Sequence, residues 1–342
     1  MVMDKAGLRI ATYNVEWFNA LFDDEARPLV DDGPSARHRI TRRAQFEALG
    51  RVFTALKADV VMVVEAPDTI RQRDTIRALE RFAARFELRA RKAVMGFVNQ
   101  TQQELALLYD PDRVTLRHDP RDGGAHAPRF DTTFRFDLDV DAAPEAISFS
   151  KPPLEAVLEV GGHTLRLIGC HVKSKAPHGA TDPQSVMRIS IENRRKQLAQ
   201  CVWMRRRVDA HLEAGDDVIL LGDLNDGPGL DEYEKLFGRS GVEIVLGSGE
   251  GALYDPHARM ALTQRLGASH ATARFYNKAE GRYFQALLDY IMVSPGLRRR
   301  ARTWRIWHPF DDPPCYNAPE LRDALLTASD HFPVTLDLEL GG

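Results

Sequence analysis

Two short segments of this chain, residues 59–64 and 218–221, consist almost entirely of large apolar residues. A strand with one solvated face alternates apolar and polar residues, whereas a strand buried on both faces does not. A carboxylate follows each segment, Glu65 in the first case and Asp223 in the second. The pattern therefore predicts a layered α/β fold in which covered strands end at polar side chains.

The rest of the chain supplies further strands and helices. Strands are predicted over residues 8–15, 105–109, 130–140, 154–160, 164–171, 287–293 and 334–340. Helices are predicted over residues 36–56 and 187–212, and another is expected to follow Asp68 as its N-cap. Residues 112–130 and 308–328 are expected to be lengthened loops, and residues 238–279 show little pattern. Because no linker or repeat is visible, we expect a single domain over residues 1–342.

The composition excludes several classes of protein. Apolar residues make up 44% of the chain and charged residues 28%, as in soluble globular proteins. The formal net charge of -3 argues against tight non-specific DNA binding, because dedicated DNA-binding domains are usually basic. Three widely spaced cysteines match neither a disulfide framework nor a zinc pattern. Without a membrane-length apolar stretch or a visible export signal, we expect a cytoplasmic protein with no stable membrane association.

Polar side chains stand repeatedly at the ends of the predicted strands. They are Asn14, Glu65, His171, Asp223, Asn225, Asp289, Asp330 and His331. Each has an ordinary structural explanation when taken alone, and only their joint placement indicates a site. Carboxylate and amide oxygens suit Mg²⁺, Mn²⁺ or Ca²⁺, whereas zinc prefers cysteine and histidine. The histidines remain available for proton transfer, so the set predicts metal-dependent hydrolysis of a phosphate ester.

Other phosphate and hydrolase chemistries lack support in the sequence. There is no glycine-rich phosphate loop, so ATP-dependent transfer has no motif. There is no G-x-S-x-G nucleophile elbow either, so hydrolysis by a serine nucleophile has no supporting motif.

Six segments of the chain resemble the endonuclease/exonuclease/phosphatase superfamily, whose members include DNase I-like nucleases, apurinic endonucleases, inositol-polyphosphate phosphatases and sphingomyelinases. The segments are Thr12-Tyr13-Asn14-Val15, Val64-Glu65, Gly169-Cys170-His171-Val172-Lys173-Ser174, Leu221-Gly222-Asp223-Leu224-Asn225-Asp226, Leu288-Asp289-Tyr290-Ile291 and Ser329-Asp330-His331-Phe332-Pro333-Val334. They follow the family's order and span nearly the whole chain. The resemblance implies a four-layer α/β/β/α sandwich of two mixed β-sheets with flanking helices, like DNase I, and a site at one end.

The resemblance also implies a role for each matched polar residue. Glu65 resembles the principal metal ligand, with Asn14 and Asp330 in the metal shell. Mg²⁺ is the expected cofactor, with Mn²⁺ or Ca²⁺ as alternatives. His331 resembles the general base, and Asp289 resembles the carboxylate that orients it.

The other matched residues are expected to hold the substrate and the attacking water. Asp223 and Asn225 would position the water and the phosphate, and His171 resembles a second histidine that binds the phosphate. The mechanism implied is a one-step, in-line attack of water on phosphorus.

Basic residues near these motifs are weaker candidates. Lys151 takes the place of an arginine in a motif of bacterial nuclease-like members. Its ammonium would contact the phosphate as a point charge, without the two parallel hydrogen bonds of an arginine. Lys173 follows His171, where it would either steer a polyanion or solvate a loop. The short run Arg205-Arg206-Arg207 is expected to be solvated surface.

Several aromatic residues fall in predicted loops. Trp17, Phe18, Phe275 and Tyr276 are candidates for stacking on bases, although core packing is the expected role for most of them. No exposed aromatic hairpin for membrane insertion is expected.

Three functions remain open for this chain. The favoured one is a nuclease or phosphodiesterase acting on nucleic acid or nucleotides, because the segments around Lys151 and Lys173 look most like nuclease-type members. The second is a phosphatase or phospholipase-type enzyme on small or lipid phosphates, which the acidic pI fits equally well. The third is an inactive binding module. The residues at the matched catalytic positions argue against it, because each of them is chemically competent.

Overall fold

Two mixed β-sheets form the centre of the structure, a computed structural model that describes residues 7–70, 72–99, 101–137, 145–177, 179–227, 237–263, 270–277 and 281–341. The six-stranded sheet has the order β14 (Ala301–Ile306), β15 (Val334–Glu339), β1 (Gly7–Asn14), β2 (Val60–Ala66), β4 (Glu104–Tyr109) and β3 (Lys92–Met95). The five-stranded sheet has the order β13 (Asp289–Val293), β10 (Asp217–Asp223), β9 (His163–His171), β8 (Leu154–Val160) and β5 (Thr115–His118). Two hairpins are separate from these sheets: β6 (Phe134–Phe136) with β7 (Glu145–Ile147), and β11 (Ala273–Asn277) with β12 (Arg282–Ala286).

Helices cover the outer faces of both sheets. In the described residues they are α1 (Arg42–Leu56), α2 (Thr75–Arg85), α3 (Pro183–Glu213), α4 (Gly241–Leu246), α5 (Pro256–Thr263), α6 (Pro295–Arg298), α7 (Pro313–Tyr316) and α8 (Pro319–Ala328), with short 3₁₀ turns at Phe18–Leu21 and Gly249–Gly251. Helices α1, α2 and α8 share a buried cluster with one face of the six-stranded sheet, and α3 packs with β10. The predicted four-layer sandwich is therefore confirmed. Within the part of the chain described here, no helix is long and apolar enough to cross a membrane.

The main hydrophobic core lies between the two sheets. It combines apolar residues of β1, β2 and β4 with those of β8, β9 and β10. At Gly169 on β9, an added Cβ would lie 2.5 Å from the Met62 sulfur on β2. A side chain at this position would displace the end of the Met62 side chain, so the glycine lets Met62 pack directly against β9.

The strand directions bring many polar residues to one edge of the sandwich. Strands β1 and β2 run parallel, as do β9 and β10, so each pair ends at a common edge. Strand β13 is antiparallel to β10, with Asp289 beside Asp223. Asp289 is therefore the first residue of its strand, which begins two residues later than the predicted start at residue 287. Strand β15 is likewise antiparallel to β1, which places His331 at the same edge just before that strand begins.

The helices begin at residues other than the predicted ones, because capping side chains set their first turns. Helix α1 begins at Arg42 and not at residue 36, because the Thr41 side chain accepts a hydrogen bond from the Ala44 amide. Helix α2 is capped by Asp74, whose carboxylate accepts from the Arg77 amide. Asp68, the predicted cap, is buried in an ion pair with Arg73. The long helix α3 begins four residues earlier than predicted, after an Asp182 capping box.

The predictions for three long segments also need correction. Residues 308–328 are not a loop: they contain α7 and α8, and α8 packs along α1 with Leu325 buried. Residues 112–130 contain strand β5, and only Phe134–Phe136 of the predicted strand 130–140 is extended, with residues 138–140 outside the described range. The weakly patterned residues 238–279 contain α4, α5 and β11 where they are described. That the chain forms one domain stays a prediction.

Arg207 is buried, contrary to the expectation of a solvated basic run. Its guanidinium forms a bidentate pair with Glu155, at 2.7 and 2.9 Å, and donates to the Ala127 and Arg121 carbonyls. Both charged side chains are almost completely covered. His211 Nε2 also lies 3.5 Å from Glu155 Oε1. The buried pair thus fixes α3 against β8 at an appreciable desolvation cost.

We expect Arg207→Ala to lower the free energy of unfolding by about 3–5 kcal/mol, because Glu155 would remain buried without its partner. Urea denaturation followed by circular dichroism measures the change. Arg188→Ala, on an exposed part of the same helix, serves as the control and should cost less than about 1 kcal/mol. Equal losses in the two variants would contradict a structural role for the buried pair.

Candidate active site

The shared edge of the two sheets opens into a cavity of about 680 Å³. The predicted site residues that line it are Asn14, Glu65, Lys151, His171, Asp223, Asn225, Asp330 and His331. Asp289 lies behind His331 and contacts it directly. Lys173 is not among the lining residues, so the structure does not bring it to the cavity, whereas Lys175 lines the cavity and pairs with Asp226 at 2.6 Å.

His331 is held by a carboxylate on one side and faces a second carboxylate on the other. Its Nδ1 lies 2.8 Å from Asp289 Oδ2, which places the proton on Nδ1, and its Nε2 lies 3.9 Å from Asp223 Oδ2. Burial by itself would lower the pKa of His331. The charges and hydrogen bond of Asp289, followed by Asp223 and Asp330, outweigh burial and raise this pKa well above its ordinary value. The imidazole is thus both oriented and made more basic.

Asp223 is the buried centre of the hydrogen-bond network. Its carboxylate accepts from Asn14 Nδ2 at 3.1 Å, from the Asn225 amide at 2.7 Å and from Asn225 Nδ2 at 3.3 Å. His171 Nε2 lies 3.7 Å away. Burial raises the pKa of Asp223 to about 7, and nearby His331 opposes this rise. A cation in the cavity would favour the ionised carboxylate.

A β-bulge aims Glu65 into the cavity. The register of β2 against β4 shifts between Val64 and Ala66, and Glu65 has a φ of 62°, in the left-handed region that non-glycine residues rarely adopt. Glu65 Oε2 accepts from the Trp17 amide at 2.8 Å. Glu65 Oε1 lies 3.5 Å from Asn14 Nδ2 and 4.0 Å from His171 Nε2, on the cavity side. One carboxylate oxygen is thus fixed by the backbone and the other faces the cavity.

His171 and Lys151 form a polar pair in the cavity wall. Lys151 Nζ lies 3.2 Å from His171 Nδ1, which can accept from the ammonium and so leaves the proton on Nε2. Burial, followed by the charges of Lys151 and His331, holds the pKa of His171 well below its ordinary value. Burial also lowers the pKa of Lys151, against the carboxylates of Glu65 and Asp223. A neutral His171 and a cationic Lys151 would both donate to phosphoryl oxygens.

Glu16 belongs to the cavity and was missed by the sequence reasoning. It lines the cavity next to Asp330, whose amide donates to its carboxylate at 2.8 Å, and it pairs with Arg37. Burial and then the Asp330 charge raise the pKa of Glu16 to about 7, and Arg37 opposes that rise. The signal available in the sequence was its position two residues after Asn14, beyond the end of the same strand. Asp330 therefore contacts Glu16, and its predicted part in the metal shell stays a prediction.

The donor set fits a hard divalent cation. Within the described residues, one cluster of three potential ligands, Asp223, Asp289 and His331, has its atoms within 4.8 Å of one another. The 2.8 Å contact of Asp289 with His331 is better explained as a hydrogen bond that orients the ring. Glu65 Oε1 and Asp223 supply the neighbouring oxygen-rich part of the site. Asn14 turns its Nδ2 toward both carboxylates while its Oδ1 accepts from the Glu16 amide, so its predicted part in the metal shell stays a prediction. Oxygen donors of this kind suit Mg²⁺ or Mn²⁺.

Aromatic side chains form part of the cavity wall. Phe275 and Phe284 of hairpin β11–β12 line it, together with Trp17. Tyr276 and Tyr283, on the same hairpin, are each 52% exposed, and Phe284 is 47% exposed. An aromatic hairpin with exposed rings is therefore present, which the sequence analysis did not expect, and the absence of membrane insertion stays a prediction.

Solved structures share the fold of this chain at low sequence identity. A truncated Caenorhabditis elegans TDP2 is 15% identical, with a TM-score of 0.53 over 97% of this chain and 98% of that one. A longer C. elegans TDP2 is 15% identical, with a TM-score of 0.52 over 97% and 75% of the two chains. An AP endonuclease from Archaeoglobus fulgidus is 14% identical, with a TM-score of 0.49 over 96% and 98%. No curated protein matches by sequence similarity.

The sequence itself matches the endonuclease/exonuclease/phosphatase family over residues 11–331. The match begins three residues before Asn14 and ends at His331, so it encloses every predicted site residue. The chain therefore belongs to the endonuclease/exonuclease/phosphatase family.

Proposed function

We propose that this protein hydrolyses phosphate esters with a bound divalent cation, and that nucleic acid or nucleotides are its substrates. The observation that carries the proposal is the Asp289–His331 pair, which points a basic imidazole nitrogen into a cavity lined by Glu65, Asp223 and Lys151. Membership of the family supports a phosphoesterase-type hydrolase. Aromatic side chains beside cationic ones in the cavity favour a substrate that carries both a base and a phosphate.

The proposed mechanism assigns the proton to His331. Asp289 holds the Nδ1 proton, so Nε2 accepts the proton of a water molecule. Asp223 Oδ2 lies 3.9 Å from Nε2 and accepts from Asn225, and the two residues would position that water for in-line attack on phosphorus. A divalent cation held by Glu65 and Asn14, with Asp330, would neutralise charge on the phosphoryl oxygens when bound.

The other side of the cavity would hold the phosphate. Lys151 and His171 present donors to the phosphoryl oxygens, and their burial strengthens these hydrogen bonds relative to solvated ones. Because His171 is neutral, its Nε2 proton can also be shared with the leaving oxygen. Lys173, outside the cavity lining, is left with the weaker role of attracting a polyanion.

We expect His331→Ala to lower kcat by roughly 10²–10⁴-fold, the contribution of a general acid–base group. Initial rates with a fluorescent single-stranded oligonucleotide in Mg²⁺ measure the change. His126→Ala removes an exposed imidazole elsewhere in the chain and should leave kcat unchanged. Near-normal turnover by His331→Ala would exclude this residue as the base.

We expect EDTA to abolish hydrolysis and Mg²⁺ or Mn²⁺ to restore it. Glu65→Gln keeps an acceptor for the Trp17 amide but removes the charge, so half-maximal activity should need a higher metal concentration, by at least about tenfold. Glu87→Gln is a matched control, because Glu87 is exposed and also has a left-handed φ, of 51°. Full activity in EDTA, or equal metal dependence in the two variants, would contradict the proposed ligand.

A further inference from the structure

Hairpin β11–β12 is attached to the catalytic edge by its main chain. The Arg274 amide donates to the Asp330 carbonyl at 2.7 Å, and the Phe332 amide donates to the Thr272 carbonyl at 2.6 Å. These bonds lie on both sides of His331 along the chain. The hairpin therefore has a fixed position relative to the proposed base.

The two faces of this hairpin have different surroundings. Phe275 lies opposite Phe284 and Tyr276 lies opposite Tyr283, and successive residues of a strand point to opposite faces. The phenylalanine face lines the cavity. The tyrosine face bears Arg274, whose guanidinium lies 3.3 Å from the centre of the Tyr283 ring. Only one face is thus available to a ligand in the cavity.

The phenylalanine face presents an inner and an outer ring. The inner ring, Phe275, packs edge-on against the His331 imidazole with 5.5 Å between ring centres. The outer ring, Phe284, is 47% exposed although it lines the cavity. Trp17 lines the same cavity from the end of β1 and is 41% exposed. Large apolar rings left uncovered beside a polar site mark a place for a flat apolar group of the ligand.

The surrounding charges indicate what kind of ligand carries that group. Lys151 and His171 line the cavity beside these rings and offer donors to a phosphate. The two hairpin strands, Ala273–Asn277 and Arg282–Ala286, contain no leucine, isoleucine or valine, so the rings supply most of their apolar surface. Exposed rings beside a positively charged side chain such as Lys151 are typical of surfaces that bind single-stranded nucleic acid.

We propose that Phe284 stacks on an unpaired base next to the phosphate that is hydrolysed, so that the substrate is single-stranded nucleic acid. This inference rests on the proposed function and adds the strandedness of the substrate. In a duplex both faces of each base are covered by neighbouring bases, so a ring can stack only on an unpaired or terminal base. The floor of the cavity would then hold the phosphate while Phe284 holds the adjoining base.

Equilibrium binding tests the proposal without requiring turnover. Fluorescence anisotropy in Mg²⁺ would compare a labelled single-stranded oligonucleotide, its duplex and an oligomer of the same length with abasic sugars. All proteins would carry His331→Ala so that the ligands stay intact. We expect the single strand to bind at least tenfold more tightly than the abasic oligomer, and Phe284→Ala to remove most of that difference.

Two further variants separate stacking from other effects. Phe284→Trp keeps a flat ring and should retain the preference for the base-containing strand. Tyr276→Ala removes an equally exposed ring from the other face of the hairpin and should leave the affinity unchanged. Equal losses in Phe284→Ala and Tyr276→Ala would overturn the proposal, because a general effect on the hairpin would explain them.

The remaining outcomes also decide the question. Unchanged binding by Phe284→Ala, or equal affinity for single strand and abasic oligomer, would overturn the stacking role and leave the phosphoesterase proposal intact. In another outcome, co-sedimentation with phosphatidylcholine–phosphatidylserine vesicles would depend on Phe284 while oligonucleotide affinity would not. That result would overturn the proposal and indicate that Phe284 binds a lipid surface. Base-dependent binding by a protein that hydrolyses no phosphate ester in any metal would support the stacking role and refute the proposed function.

Discussion

The hydrogen bond from Asn14 to Asp223 joins the two sheets at the edge on which the site depends. Asn14 ends β1 of the six-stranded sheet and Asp223 ends β10 of the five-stranded sheet, and their side chains meet at 3.1 Å. Both are buried, so this contact is not exchanged for water. The contact depends on the spacing of the two sheets. Any change in sheet spacing would therefore alter the distances between Glu65 on one sheet and His171 on the other.

Burying carboxylates at this junction creates the electrostatics of the site. The pKa of Asp223 is raised to about 7 by burial, while the pKa of His331 is raised because two carboxylates face it. Each group thus depends on a compensating charge nearby. Such an arrangement would be costly in a purely structural core, and it would attract a cation and a proton to the cavity.

Backbone strain is concentrated at the same edge. Four of the nine non-glycine residues with positive φ in the described parts of the chain belong to the site: Glu16, Trp17, Glu65 and Asn225. Each such residue costs of order 1 kcal/mol or more, which the surrounding hydrogen bonds must offset. The hydrogen bond from the Trp17 backbone amide to Glu65 shows what the strain achieves. This hydrogen bond holds one carboxylate oxygen away from the cavity and leaves the other facing it.

Apolar periodicity and strand-end motifs are local properties of the chain, so they were enough to predict a layered α/β fold and the polar residues at its edge. The four-layer sandwich was implied by the resemblance of six segments to a known family. The sequence did not determine that Asp74 caps α2 while Asp68 pairs with Arg73, or that Arg207 is buried, because a charged side chain finds its partner only when distant elements pack. It also could not distinguish Phe284 from Tyr283, adjacent and chemically similar residues. Only the tertiary structure, by fixing which face of the hairpin meets the cavity, separates the ring beside the proposed base from the ring turned away.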